Sequence, residues 1–119
     1  MKGRSVTAEK KRFHDLLCRE IGCVACAIDG MFTSWVSVHH CDGRTKPCAQ
    51  WFVLPLCGPH HQDSGIDGVI AVHPYKARFE AKYGTQAELH RGAVRKLLYA
   101  GFTLPEALLE YTGLSLEVA

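Results

Sequence analysis

With 119 residues, of which 47% are hydrophobic and 22% charged, the chain can build one modest core, and a single domain over residues 1–119 is expected. No apolar run approaches the ~18 residues of a membrane span, and no signal-peptide apolar region opens the chain; these features argue against a helical membrane protein and predict a soluble, intracellular one. The formal charge of +2 is too small to establish a nucleic-acid partner, so that question turns on where the charges lie.

The chain opens on a basic arm, residues 1–12, in which Lys2, Arg4, Lys10, Lys11 and Arg12 face a single acid, Glu9. Residues 8–21 read as a helix: Thr7 can cap it, Phe13, Leu16, Leu17 and Ile21 recur at helical spacing, and Gly22 can close it. A knuckle, Cys23 and Cys26, follows at once. Residues 34–40 are rich in strand formers, residues 42–47 form a turn by composition, and Trp51 to Leu56 gives a returning strand. That strand runs into a second knuckle, Cys57 and His60. A short helical start and a loop are expected from His61 to Gly68. Pro74 suits the first position of a helix that Gly84 stops. Thr85 with Glu88, and Thr103 with Glu106, carry capping-box patterns for two more helices. The chain therefore divides into the arm, a metal-binding core over residues 23–73 and a helical part over residues 74–119, with no internal repeat or linker.

The six cysteines, in a chain without a secretory signal, are expected as reduced thiols suited to metal rather than as a disulfide framework. Two Cys separated by two residues, and a Cys-x2-His pair about thirty residues on, complete a tetrahedral structural Zn²⁺ site from Cys23, Cys26, Cys57 and His60. Cys18 suits a small core position, and Cys41 and Cys48, flanking the polar turn, are open alternatives to one of the four ligands. A hairpin of two strands is marginal alone, so metal and packed helices must support it.

His39, His40 and His61 exceed what one closed zinc site requires, and they suggest a second, catalytic centre. Adjacent residues on a strand face opposite ways, so His39 and His40 divide between a metal-facing and a substrate-facing role. Phosphodiester cleavage needs that division: a base to take a proton from water, and a cation to neutralise charge on the phosphate. Imidazole, titrating near pH ~6.5, can accept a proton at neutral pH. Arg44 and Lys46, just after the pair, lie where a phosphate chain would be held. The bland reading, of ordinary core and surface histidines and a solvated basic turn, stays open at this point. His14 and His90 have no partner in sequence and no assigned role, and Trp35 and Trp51 are expected to fill the hairpin core.

The combination of Cys23-x2-Cys26, Val38-His39-His40 and Leu56-Cys57-x2-His60-His61 resembles the HNH (ββα-metal) endonuclease family. More closely, Gly3-Arg4-Ser5, Val38-His39-His40 through Lys46-Pro47, Val53 to Cys57, His60-His61-Gln62 and His73-Pro74 through Tyr83-Gly84-Thr85 are similar to the phage recombination enhancement function (Ref) proteins, which are RecA-dependent DNA nucleases. The resemblance implies an α+β fold with a treble-clef-like ββα-metal core wrapped by helices. It implies that His40 acts as general base, and that His39, His61 and His73 hold a catalytic divalent metal such as Mg²⁺. DNA is the implied substrate, with Arg4, Lys10, Lys11, Arg12, Arg44 and Lys46 on its phosphates. A RecA filament or displacement loop in the cytoplasm of a bacterial host would present that DNA. One departure matters: the central Asn of HNH is replaced by Phe52, so Gln50 or a backbone carbonyl must orient the base. The rival reading is a non-catalytic zinc module that binds nucleic acid or protein, which has no need of His39, His40, His61 and His73 together.

Overall fold

The computed structural model describes residues 6–115; Lys2 and Arg4, and the Gly3-Arg4-Ser5 motif, lie outside them. Thr7 Oγ1 accepts from the Lys10 N–H at 3.2 Å and starts helix α1, Ala8–Leu16. The expected helix continues to its predicted end, but its last turn, Leu17–Ile21, is π-helical, with the Gly22 N–H reaching the Leu17 carbonyl. Gly22 has φ 67°, and a Cβ there would stand 2.6 Å from the Thr33 carbonyl oxygen. Only glycine lets that carbonyl approach and accept from the Cys23 N–H at 2.9 Å.

The first knuckle is the start of a short helix, α2, Val24–Ile28, whose N-cap is Cys23; its sulfur accepts from the Cys26 N–H. Strands β1, Val36–His40, and β2, Val53–Cys57, then pair antiparallel from Val36↔Cys57 to His40↔Val53. Helix α3, Gly58–His61, follows β2 without a loop. The helical turn thus lies ahead of the segment expected for it, because Pro59 suits a helix N-terminus and Gln62 is already extended. Helix α4, Lys76–Tyr83, starts after Pro74, not at it. The reason is backbone pairing: the Val72 and His73 N–H groups donate to the carbonyls of His60 and His61, and Asp63 N–H donates to that of His73. A turn then closes from the Tyr75 N–H to the Ala71 carbonyl before the helix begins. Helix α5, Gln86–Tyr99, opens with the expected capping box of Thr85 and Glu88. Helix α6, Glu106–Thr112, is capped by Pro105, whose carbonyl accepts from Leu108 and Leu109; Thr103 does not cap it.

The result is a small α+β fold: a two-stranded sheet with helices around it. Every residue of β2 is buried, because α2, α5 and the π-helical turn all pack on it. Phe13, Leu17, Leu54, Leu56, Phe79, Val94, Leu97 and Leu108 make up much of the core, to which α5 and α6 contribute the last three. Trp51 joins the core beside Phe13, but Trp35 is 91% exposed, contrary to expectation. It precedes the first paired residue of β1, where no second strand can cover it. Cys18 is only half-buried, on the π-helical turn. Among the described residues no helix is long and apolar enough to cross a membrane.

His14 and His90, without a partner in sequence, both have one in the fold. Their Nε2–H groups donate to the carbonyls of Gln50 at 2.7 Å and Trp51 at 2.6 Å, pinning the turn that leads into β2. Burial holds His90 down at about 4, against the opposing pull of the Trp51 carbonyl. In the unfolded chain the same imidazole protonates below about pH 6.5. Its neutral form therefore supports the fold fully above that pH, and support falls by up to roughly 1.4 kcal/mol per pH unit down to about pH 4. We predict that His90→Phe costs about 1–3 kcal/mol at pH 7, by leaving a buried carbonyl unpaired. Its thermal midpoint should also fall less than that of the unmodified protein between pH 7 and pH 5; equal falls would contradict the assignment.

Candidate metal centres

Cys23 capping α2, Cys26 within it, Cys57 from the end of β2 and His60 from α3 meet in the interior, with their ligand atoms all within 4.8 Å of one another. His60 Nδ1 lies 3.1 Å from the Cys57 sulfur, 3.5 Å from that of Cys26 and 3.6 Å from that of Cys23, and the sulfurs of Cys26 and Cys57 are 3.8 Å apart. These are the edge lengths of a tetrahedron with metal bonds of about 2.3 Å to sulfur and 2.0 Å to nitrogen. Burial pushes the Cys23 thiol up to about 12 and raises that of Cys57 as well. A divalent cation offsets that penalty by stabilising thiolates, so the donor set fits a metal such as zinc. All six cysteines are free; Cys41 and Cys48 stand outside the cluster, Cys41 just past the end of β1 and Cys48 exposed.

The far side of His60 is also specified. Tyr83 OH donates to Asp29 Oδ2 at 2.8 Å, so its oxygen is left to accept from His60 Nε2–H at 3.1 Å. That chain leaves the Nδ1 lone pair directed at the sulfurs. Lys82 closes it, 3.9 Å from Asp29.

A second group forms beside the first. His39 from β1, His61 from the end of α3 and His73 from the segment before α4 also bring one ligand atom each within 4.8 Å. Their ring centroids are 5.0 Å (His39 to His61), 5.1 Å (His39 to His73) and 5.5 Å (His61 to His73) apart. His39 is 3% exposed, His61 half-buried and His73 exposed, so the group is walled on one side and open on the other. Burial holds His39 down at about 4, with smaller pushes from His61 and His73, and it lowers His61 too. Neutral imidazoles are the form a cation takes. His39 Nε2 meets Gln86 Oε1 at 2.8 Å, Gln86 Nε2 donates to Glu80 Oε2 at 3.3 Å, and Ser37 Oγ stands 3.5 Å from His61 Nδ1.

His40 is separate from this group, as strand alternation requires. It is half-buried; its ring lies edge-on to His14 at 6.2 Å, and its Nε2 meets Gln50 Oε1 at 2.9 Å. Of the basic residues, Lys10 lies over the Trp51 ring, Lys11 pairs with Asp15 and Lys46 with Asp42, while Arg12 and Arg44 are exposed. His14 sets α1 beside His40, since its ring lies against that of His40 and bonds the Gln50 carbonyl. Arg4 lies outside the described residues.

Residue spacing did not reveal Gln86 or Ser37, which meet their histidines from distant parts of the chain, nor Glu80 and Asp29, which act one contact further out through Gln86 and Tyr83. Tyr83 lay within a matched motif, and that was its only signal.

Tyr83→Phe removes the oxygen that accepts from His60 and keeps the ring. We predict a loss of about 10- to 100-fold in zinc affinity in a chelator competition, and cooperative unfolding when a strong chelator strips the unmodified protein. Unchanged affinity would mean that the Tyr83 contact does not orient the ligand.

The profile of the family described as recombination enhancement, RecA-dependent nuclease matches residues 6–97. It spans more than half of the chain, including both clusters and His40. The chain belongs to the recombination enhancement, RecA-dependent nuclease family.

Proposed function

We propose that this chain is a metal-dependent DNA endonuclease of the HNH, ββα-metal type, acting on DNA that a RecA filament or displacement loop presents during phage recombination. The observation that carries this reading is the convergence of His39, His61 and His73 into an open group next to the closed Cys₃His cluster, with His40 adjacent in sequence. The order β1–β2–α3, with one cluster ligand ending β2 and others on α3, supports a ββα-metal core. Membership of a RecA-dependent nuclease family supports the substrate and the partner.

In this mechanism His39, His61 and His73 would hold a divalent cation such as Mg²⁺. When bound, it supplies charge neutralisation at the scissile phosphate and the leaving 3′ oxygen. His40 takes a proton from the attacking water as the new oxygen–phosphorus bond forms. The opposite phosphorus–oxygen bond breaks in line, and the departing 3′ oxygen takes its proton from solvent water. Gln50 occupies the place of the partner that the central HNH Asn would otherwise provide. Arg12 and Arg44 are poised to pair with DNA phosphates, as are Lys10, Lys11 and Lys46 once they leave their present partners, and Arg4 would extend the same arm.

The test is cleavage of a displacement loop with Mg²⁺, with and without RecA. His40→Ala should lower the rate at least ~100-fold while zinc content and DNA binding persist, the usual scale for a lost general base. Undiminished cutting by that variant would refute the role of His40. Binding without cutting by the unmodified protein would favour the non-catalytic zinc module.

A further inference from the structure

We infer that two buried glutamines, Gln86 and Gln50, assign the separate roles of His39 and His40 by holding both imidazoles in the Nε2–H form. His39 Nδ1 is then the nitrogen left for the cation, and His40 Nδ1 the one left for the proton of water. The functional half of this inference rests on the nuclease reading; the nitrogen assignment itself does not.

The geometry at Gln86 is over-determined. A carboxylate only accepts, so the Gln86 nitrogen that bonds Glu80 Oε2 must be the NH₂ end. The amide oxygen therefore faces His39, 2.8 Å from Nε2, and an amide oxygen also only accepts. His39 Nε2 must carry hydrogen. With His39 3% and Gln86 5% exposed, water has little access to replace either partner. The same logic operates at His60 through Tyr83 and Asp29. Both chains issue from one turn, since Tyr83 ends α4, Gln86 begins α5, and the Thr85 capping box sets the angle between them.

Gln50 serves His40 from the other side of the hairpin. It is 2% exposed, and its backbone carbonyl is held by His14, which locates its side chain against His40 Nε2 at 2.9 Å. Each glutamine touches one member of the pair, so its removal should disturb one role. Gln86 and Gln50 are positioning residues, acting through a histidine and not on the phosphate.

The experiment compares Gln86→Met and Gln50→Met, which keep volume and remove the acceptor, with Gln50→Glu, which keeps the acceptor. Nitrogen-15 imidazole shifts of the zinc-loaded protein should report Nε2–H for both His39 and His40, with that preference lost at His39 in the first variant and at His40 in the second. Gln86→Met should weaken Mn²⁺ binding by about 10- to 100-fold in titration calorimetry, and its cleavage deficit should close as Mn²⁺ is raised. Gln50→Met should bind Mn²⁺ normally yet lose about 10- to 100-fold in kcat at saturating Mn²⁺, with recovery in Gln50→Glu. An Nδ1–H form at either histidine, undiminished Mn²⁺ affinity in Gln86→Met or undiminished kcat in Gln50→Met would overturn the inference. If the unmodified protein cuts nothing, the nuclease reading fails, while the nitrogen-15 and Mn²⁺ measurements still decide the assignment.

Discussion

A two-stranded hairpin has too little apolar surface to persist alone in water, and β1 and β2 form the whole sheet among the described residues. The four donors Cys23, Cys26, Cys57 and His60 tie α2 to the end of β2 and the start of α3 at one buried point. A metal there would join three elements far apart in sequence, and the hydrophobic core would then need only to cover the hairpin. Everything that faces the open histidine group depends on this anchoring, because His61 is the residue after His60 and inherits its placement.

The two centres differ in closure. The Cys₃His group is buried on all sides, whereas the histidine group has a buried wall in His39 and an exposed rim in His73. A closed tetrahedron suits a structural metal, and an open set leaves room for substrate. The strand backbone keeps the base candidate out of that set: His39 and His40 project to opposite sides of β1, toward His61 and His73 on one side and toward His14 and Gln50 on the other.

Burial is the common electrostatic theme. It pushes thiols up and imidazoles down, which without cations would leave the former protonated and the latter neutral. For His90 and His14 that neutrality has a structural use, since each N–H satisfies a carbonyl of the turn before β2. Two histidines that lacked any motif thereby hold the element that carries Gln50.

The ligand types, their spacing and the alternation of the strand were legible in the sequence, because a knuckle spans a few residues and a strand reverses direction at each one. The caps at Thr7 and Thr85 were legible for the same local reason. Long-range packing decided the rest. Pro74 failed to start a helix because residues 72–73 pair with residues 60–63, and Trp35 failed to reach the core because β1 begins one residue later. The acceptors behind His60 and His39 lie 23 and 47 residues away, so only the folded chain could name them, whereas Gln50, 10 residues from His40, was already a candidate in the sequence. Sequence determined which groups are available to bind and to accept protons; tertiary structure decided which nitrogen of each imidazole is free, because hydrogen-bond partners are set by proximity in space.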